Sequence, residues 1–133
     1  MSQLCPNVQW VLNALTEIIE APDYDAHLIT HYFSPQYQQT VDGMHLDFSQ
    51  FCTHIAALKS QTHKMTVTLL AAASHNNLVF TRHQVAVTKL DGSKSTVMVL
   101  ACFELSGNKI TRCYECSMVM SGPKEDKTLA SIR

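Results

Sequence analysis

The apolar positions of the chain follow two periods, one in each half. From Asn7 to Ile19, the residues Val8, Val11, Leu12, Leu15, Ile18 and Ile19 recur three and four apart, which predicts one stripe on an amphipathic helix. Pro22-Asp23 ends that helix and opens a second, with apolar positions Leu28, Ile29, Tyr32 and Phe33. Ser34-Pro35 stops it, because the residue before a proline is pushed out of the helical region. "QYQQTVDGMHL" predicts a short extended piece turning at Asp42-Gly43. "DFSQFCTHIAALKS" returns to the helical period: Asp47 or Ser49 can cap it, and Phe48, Phe51, Cys52, Ile55 and Leu58 form its buried side.

Beyond this helix the period shortens. "KMTVTLLAAAS", "NLVFTRHQVAVTKL", "KSTVMVLACFEL" and "KITRCYECSMVM" are β-branched and apolar runs. They are separated by His75-Asn76-Asn77, Asp91-Gly92-Ser93 and Ser106-Gly107-Asn108, each short enough for a hairpin. The pattern predicts three helices followed by an antiparallel meander, an α+β domain whose sheet curls over the helices. Without repeats, linkers or low-complexity runs, residues 1–133 read as a single domain with a loose polar tail over 122–133.

Composition narrows the function classes. An apolar fraction of 46% with 16% charged residues is ordinary for a globular chain. Ten basic against eleven acidic residues, with no Lys/Arg cluster, argue against nucleic acid or an anionic membrane as partner. The N-terminal stretch lacks a charged leader and carries acids where a cleavage site would fall, so neither a signal peptide nor a spanning helix is expected. Five cysteines without an export signal point to free thiols in a reducing cytoplasm.

The last strand raises a sharper question, because Glu115 sits among Cys113, Tyr114, Cys116, Met118 and Val119. Taking an unpaired charge out of water costs several kcal/mol. The neighbouring Cys113-x-x-Cys116 does not explain the acid, since residues three apart on a strand point to opposite faces. Metal and redox versions of that spacing sit on tight turns or helix starts. Two separate packing thiols are expected there, with no disulfide and no metal.

The order of elements, with "YFSPQY", "VDG", "FCTHIAALK" and "FELSGNKITRCYE", resembles the nuclear transport factor 2-like superfamily, and more closely its SnoaL-like branch. The resemblance spans roughly Val8 to Gly122. It implies a cone-shaped α+β fold, three N-terminal helices packed in a curved, mainly antiparallel sheet, with a pocket at the open end. That superfamily holds polyketide cyclases, ketosteroid isomerases and epoxide hydrolases as well as binding proteins, so the fold alone does not name the chemistry. In the cyclase and epoxide hydrolase branches, an acid five residues after the hairpin isoleucine handles protons in the pocket. The resemblance places Glu115 in that role. Ile110 and Glu115 have opposite parity, so both can face inward only across a β-bulge.

Epoxide hydrolases of this fold carry an Arg-x-Asp pair on the strand matching "VFTRHQVAV". Here either Arg82 and Gln84 or Thr81 and His83 fall on those positions, and alternation favours the second placement. In both placements the Asp is missing.

Two function classes follow. His83 and Glu115 on neighbouring inward faces would form an acid–base pair able to move a proton next to a carbonyl, as in a cofactor-free isomerase, cyclase or hydratase. Alternatively, the two satisfy each other in a pocket that only binds a small hydrophobic or carbonyl compound. Trp10, Tyr32, Tyr37 and Phe51 could roof such a pocket, although aromatics at helical spacing also serve as plain core. His54 could reach the pocket or cap a neighbouring element, and Tyr37 or His54 could face a substrate oxygen. His27 and His31 share a helix face at a two-ligand spacing, but no third ligand follows, and a solvated pair is expected. Asp42 reads as a turn residue and Glu104 as solvent-facing. "TVMVLACFEL" is apolar on both faces, so Met98, Leu100 and Cys102 would leave an apolar row on the outer sheet face. A homodimer through that face is expected.

Overall fold

The computed structural model describes residues 4–122. Helix α1 runs Pro6–Glu20 and α2 runs Ala26–Tyr32, followed by strands β1 (Phe33–Val41) and β2 (Met44–Asp47). Helix α3 (Phe48–Gln61) leads into β3 (Thr62–His75), β4 (Leu78–Lys89), β5 (Lys94–Ser106) and β6 (Lys109–Ser121). The α+β class is as expected. The three helices are not one N-terminal block, however, because a β-hairpin stands between α2 and α3.

Local chemistry accounts for most boundaries. Proline opens α1 at a position where its missing N–H would have had no helical partner. Asp25 caps α2 through the N–H groups of His27 and Leu28, at 2.9 and 3.3 Å. Of the two candidate caps for α3, Asp47 is the one used. Its carboxylate accepts from Gln50 N at 2.8 Å while the Gln50 side chain accepts from Asp47 N at 2.9 Å, a capping box. Ser34-Pro35 does stop α2, yet Phe33 is already the first residue of β1 rather than the end of the helix.

The sheet order is β2-β1-β6-β5-β4-β3. All neighbours are antiparallel except β1 and β6, which run parallel, so the first and last strands of the chain lie side by side within the sheet. Between Phe33↔Ile110 and Gln38↔Arg112 the β1–β6 ladder slips, and Pro35, which has no N–H to donate, lies in the slipped stretch. On the other side of β6, Leu105 pairs with Ile110 and Glu104 with Arg112, leaving Thr111 as an extra residue. This is the β-bulge that parity demanded between Ile110 and Glu115. The Thr111 hydroxyl locks it by donating to the Glu104 carbonyl at 3.1 Å.

The core fills one side of the sheet. Val8, Val11, Ala14 and Ile18 of α1 and Phe51 and Ile55 of α3 pack with Val79, Val97, Val99, Phe103, Leu105 and Ile110. The opposite face carries Phe80, Leu100, Tyr114, Met118 and Met120, each about half exposed. The expectation of a loose tail beyond Gly122 lies outside the described residues.

Candidate functional site

Between the C-terminal half of α1, α3 and the inner face of the sheet lies a cavity. It is lined by Ala14, Leu15, Ile18 and Ile19 from α1, and by Phe51, His54, Ile55 and Leu58 from α3. The sheet adds apolar side chains such as Val85, Val99 and Phe103, and the polar Tyr37, Gln39, His83 and Glu115. About 120 Å³ of it is open to water-sized groups. That is room for several waters or one small ligand, since a water's share of liquid volume is about 30 Å³.

Glu115 faces this space because the Thr111 bulge puts Ile110, Cys113, Glu115 and Ser117 on the inner side, where all but the half-buried Glu115 are buried. Desolvation by the surrounding apolar side chains pushes its carboxyl up to about 7, with the Asp42 carboxylate adding to the effect. Near neutrality it is therefore divided between acid and base forms.

His83 also lines the cavity, which settles the orientation of β4: Thr81 and His83 point inward, Arg82 is exposed and Gln84 half-buried. The Thr81 hydroxyl and His83 Nδ1 share a hydrogen bond of 2.9 Å. Burial pushes His83 down to about 4, so its ring is neutral at pH 7. The expected His83–Glu115 pair does not form as a couple. Strand β5 lies between them: His83 pairs across to Val99 and Ser117, whereas Glu115 shares its row with Ala101 and Thr81. Their backbones are therefore two strand spacings apart, roughly 9.5 Å, and no ion pair joins the two side chains among the described residues.

The aromatic candidates divide. Phe33, Tyr37 and Phe51 form a triad with ring centroids 4.7 to 4.9 Å apart and wall the cavity. Trp10 and Tyr32 do not line it. They cluster with the exposed His31 at 4.7 to 5.3 Å, and the Tyr32 hydroxyl donates to Glu17. The reason is the axial position of Trp10, one turn before Ala14, where α1 packs on α2 rather than over the cavity. Thr81 does not line this cavity either; it supports His83 through its hydroxyl and lines a second pocket with Leu100 and Glu115.

Sequence reasoning missed Gln39. It is 4% exposed, lines the cavity and accepts a 2.6 Å hydrogen bond from the Tyr37 hydroxyl. Its inward parity with Tyr37 and Val41 was the available signal. Burial, together with the nearby Cys113 and Glu115, holds the Tyr37 phenol well above its ordinary range. Cys113 is buried inward and Cys116 is exposed on the other face, as their spacing requires. His27 and His31 are both exposed on α2, and no group of three or more metal-ligating side chains converges among the described residues.

Against known proteins, the fold is similar to that of solved SnoaL-like and nuclear transport factor 2-like structures. No protein-family model matches the chain. An uncharacterized protein of Schizosaccharomyces pombe, C11D3.04c, is 25% identical over 109 residues, covering 82% of this chain and 84% of its own. IdmH from Streptomyces antibioticus, proposed to be a polyketide cyclase, superposes with a TM-score of 0.72 at 14% identity, over 84% of this chain and 91% of its own. An LEH-like epoxide hydrolase of M. tuberculosis gives 0.69 at 12% identity, over 84% and 82%. At these identities the structural likeness defines the fold and leaves the chemistry to the residues present.

Proposed function

We propose that this protein binds a small, mainly apolar compound carrying a carbonyl or related oxygen, and that Glu115 exchanges a proton with it. The observation behind this reading is a carboxyl poised at about 7 in an apolar cavity. In the acid form it can donate to a ligand oxygen; in the base form it can take a proton from the carbon beside a carbonyl. Isomerisation, cyclisation and hydration of carbonyl compounds use such transfers and need no redox cofactor. Epoxide hydrolysis is not favoured, since the inward positions of β4 hold Thr81, His83 and Val85 and no carboxylate.

One observation supports a second reading, binding without turnover. His83 is neutral and supported by Thr81, so it does not complete a relay with Glu115. Native mass spectrometry of freshly purified wild-type and Glu115→Gln protein tests both. A co-purifying small compound, retained by the wild type and depleted in the variant, supports the assignment. Recovering it chemically changed after incubation identifies an enzyme, and recovering it unchanged identifies a binding module. Empty protein in both samples overturns the assignment.

We also propose a homodimer through the outer sheet face. The strand register aligns Phe80 with Cys102 and Tyr114, Arg82 with Leu100 and Cys116, and Gln84 with Met98 and Met118. These rows form a continuous, largely apolar surface of the kind that marks interfaces. The balanced charge gives no reason to expect nucleic acid or membrane there. No helix among the described residues is long and apolar enough to cross a membrane. The free thiols fit a cytoplasmic setting.

A further inference from the structure

The turn between β1 and β2 does more than reverse the chain. Asp42 and Gly43 have φ of +50° and +83°, the all-positive geometry for which Asp-Gly and Asn-Gly are favoured. Turn chemistry alone would accept Asn at position 42 equally well. What the Asp adds is on β6.

Strand β1 runs parallel to β6 as far as Val41↔Glu115, and Asp42 N–H then donates to the Glu115 carbonyl at 3.0 Å. The next ladder bond would come from Ser117 N–H to the Asp42 carbonyl, but the chain has already turned away toward β2. The Asp42 side chain takes it over: Oδ1 accepts from Ser117 N at 2.8 Å and Oδ2 from Ser117 Oγ at 2.5 Å. A carboxylate is thus tied on both oxygens to the residue two places beyond Glu115, on the same face of the same strand.

We propose that Asp42 is a positioning residue of the site: strapped to Ser117, two places from Glu115 on the same face of β6, its carboxylate tilts the balance of Glu115 toward the acid form, so that the cavity more often offers a ligand oxygen a proton. This rests on the reading of Glu115 given above and adds that Asp42 favours one of its two forms over the other. Like charges close together disfavour ionisation of the more buried partner, and Asp42 is the charged group that raises the Glu115 carboxyl. Among the described residues, Tyr37 from β1, His54 from α3 and His83 from β4 line the cavity with Glu115, Cys113 lies on β6 itself, and Cys102, Tyr114 and Cys116 line a second pocket with it on the sheet. Burial keeps Tyr37, Cys113 and His83 uncharged at neutral pH, and His54 is common to the wild type and every variant below.

The experiment follows the Glu115 side-chain carboxyl by carbon-13 NMR from pH 4 to 9 in wild type, Asp42→Asn and Ser117→Ala. Asn keeps the turn and an acceptor for Ser117 N–H while removing the charge. Its midpoint should fall by roughly half a pH unit, yet stay above the ordinary carboxyl value, since the apolar lining is unchanged. Ser117→Ala keeps the charge and one of its two ties, so its midpoint should move less. If Asp42→Asn does not fold, the wild type at 0.01 M and 1 M salt replaces it: screening of the exposed Asp42 should lower the midpoint. A midpoint unmoved in folded Asp42→Asn, or unmoved by salt where the variant does not fold, overturns the proposal. A wild-type midpoint near 4.5 would instead remove the underlying reading of Glu115, a separate result.

Discussion

Burial shifts Glu115 and His83 in opposite directions, and stability should record both. Glu115 goes from an ordinary 4.5 to about 7, and His83 from 6.5 to about 4, each a displacement of about 2.5 pH units. At 1.36 kcal/mol per unit, each is worth about 3 kcal/mol over its full range, somewhat less for Glu115, which keeps some solvent exposure. For Glu115 the folded carboxyl is the weaker acid. Its contribution is complete below about 4.5 and is lost as pH rises through about 7. For His83 the folded imidazole is the weaker base, so its contribution is complete above about 6.5 and is lost as pH falls through about 4. Between pH 4.5 and 6.5 the folded protein holds one proton more at Glu115 and one fewer at His83, and the two slopes cancel. Removing either partner should uncover the other. Relative to wild type, Glu115→Gln should gain stability with rising pH by up to about 1.4 kcal/mol per unit across that window. His83→Asn should lose it at a similar rate. Urea unfolding at pH 4.5, 5.5 and 6.5, at fixed salt and protein concentration, measures all three. Variants that both track wild type within about 0.5 kcal/mol, or that deviate with the same sign, would refute the reasoning, since the opposed shifts require opposite slopes.

Two further outcomes are expected. Tyr37→Phe leaves the buried Gln39 oxygen without its 2.6 Å donor and should destabilise the fold by about 1–3 kcal/mol, measured by thermal melts; an unchanged melting temperature would show that Gln39 finds another donor. Leu100→Lys places a charge in the centre of the outer sheet face and should weaken dimerisation about a hundredfold or more, read by sedimentation at micromolar concentration. A monomeric wild type would remove the proposed interface.

How much of this was legible beforehand depends on sequence distance. Features decided within a few residues could be read directly. The α1 stripe follows from the helical period, and the cap of α3 from Asp47 and Gln50 three apart. The opposite faces of Cys113 and Cys116 follow from strand alternation. Parity also required a bulge somewhere between Ile110 and Glu115 if both were to face inward, although its place at Thr111 is set by the pairing with β5. The choice of Thr81 and His83 over Arg82 and Gln84 was likewise a matter of alternation.

What the residues could not disclose is which distant segments meet. The parallel pairing of β1 with β6 joins positions more than seventy residues apart and has no signature in either strand. It places Asp42 on Ser117, and so converts an ordinary turn residue into part of the site. The separation of His83 from Glu115 depends on β5 lying between them, and the exclusion of Trp10 and Tyr32 from the cavity depends on where α1 crosses the sheet. Backbone propensity and hydrophobic periodicity act over one or two turns of chain, so they fix elements and faces. Neighbours across the sheet are chosen by the packing of the whole chain, and only there does the carboxyl of Glu115 acquire the apolar surroundings and the second carboxylate that set its proton affinity.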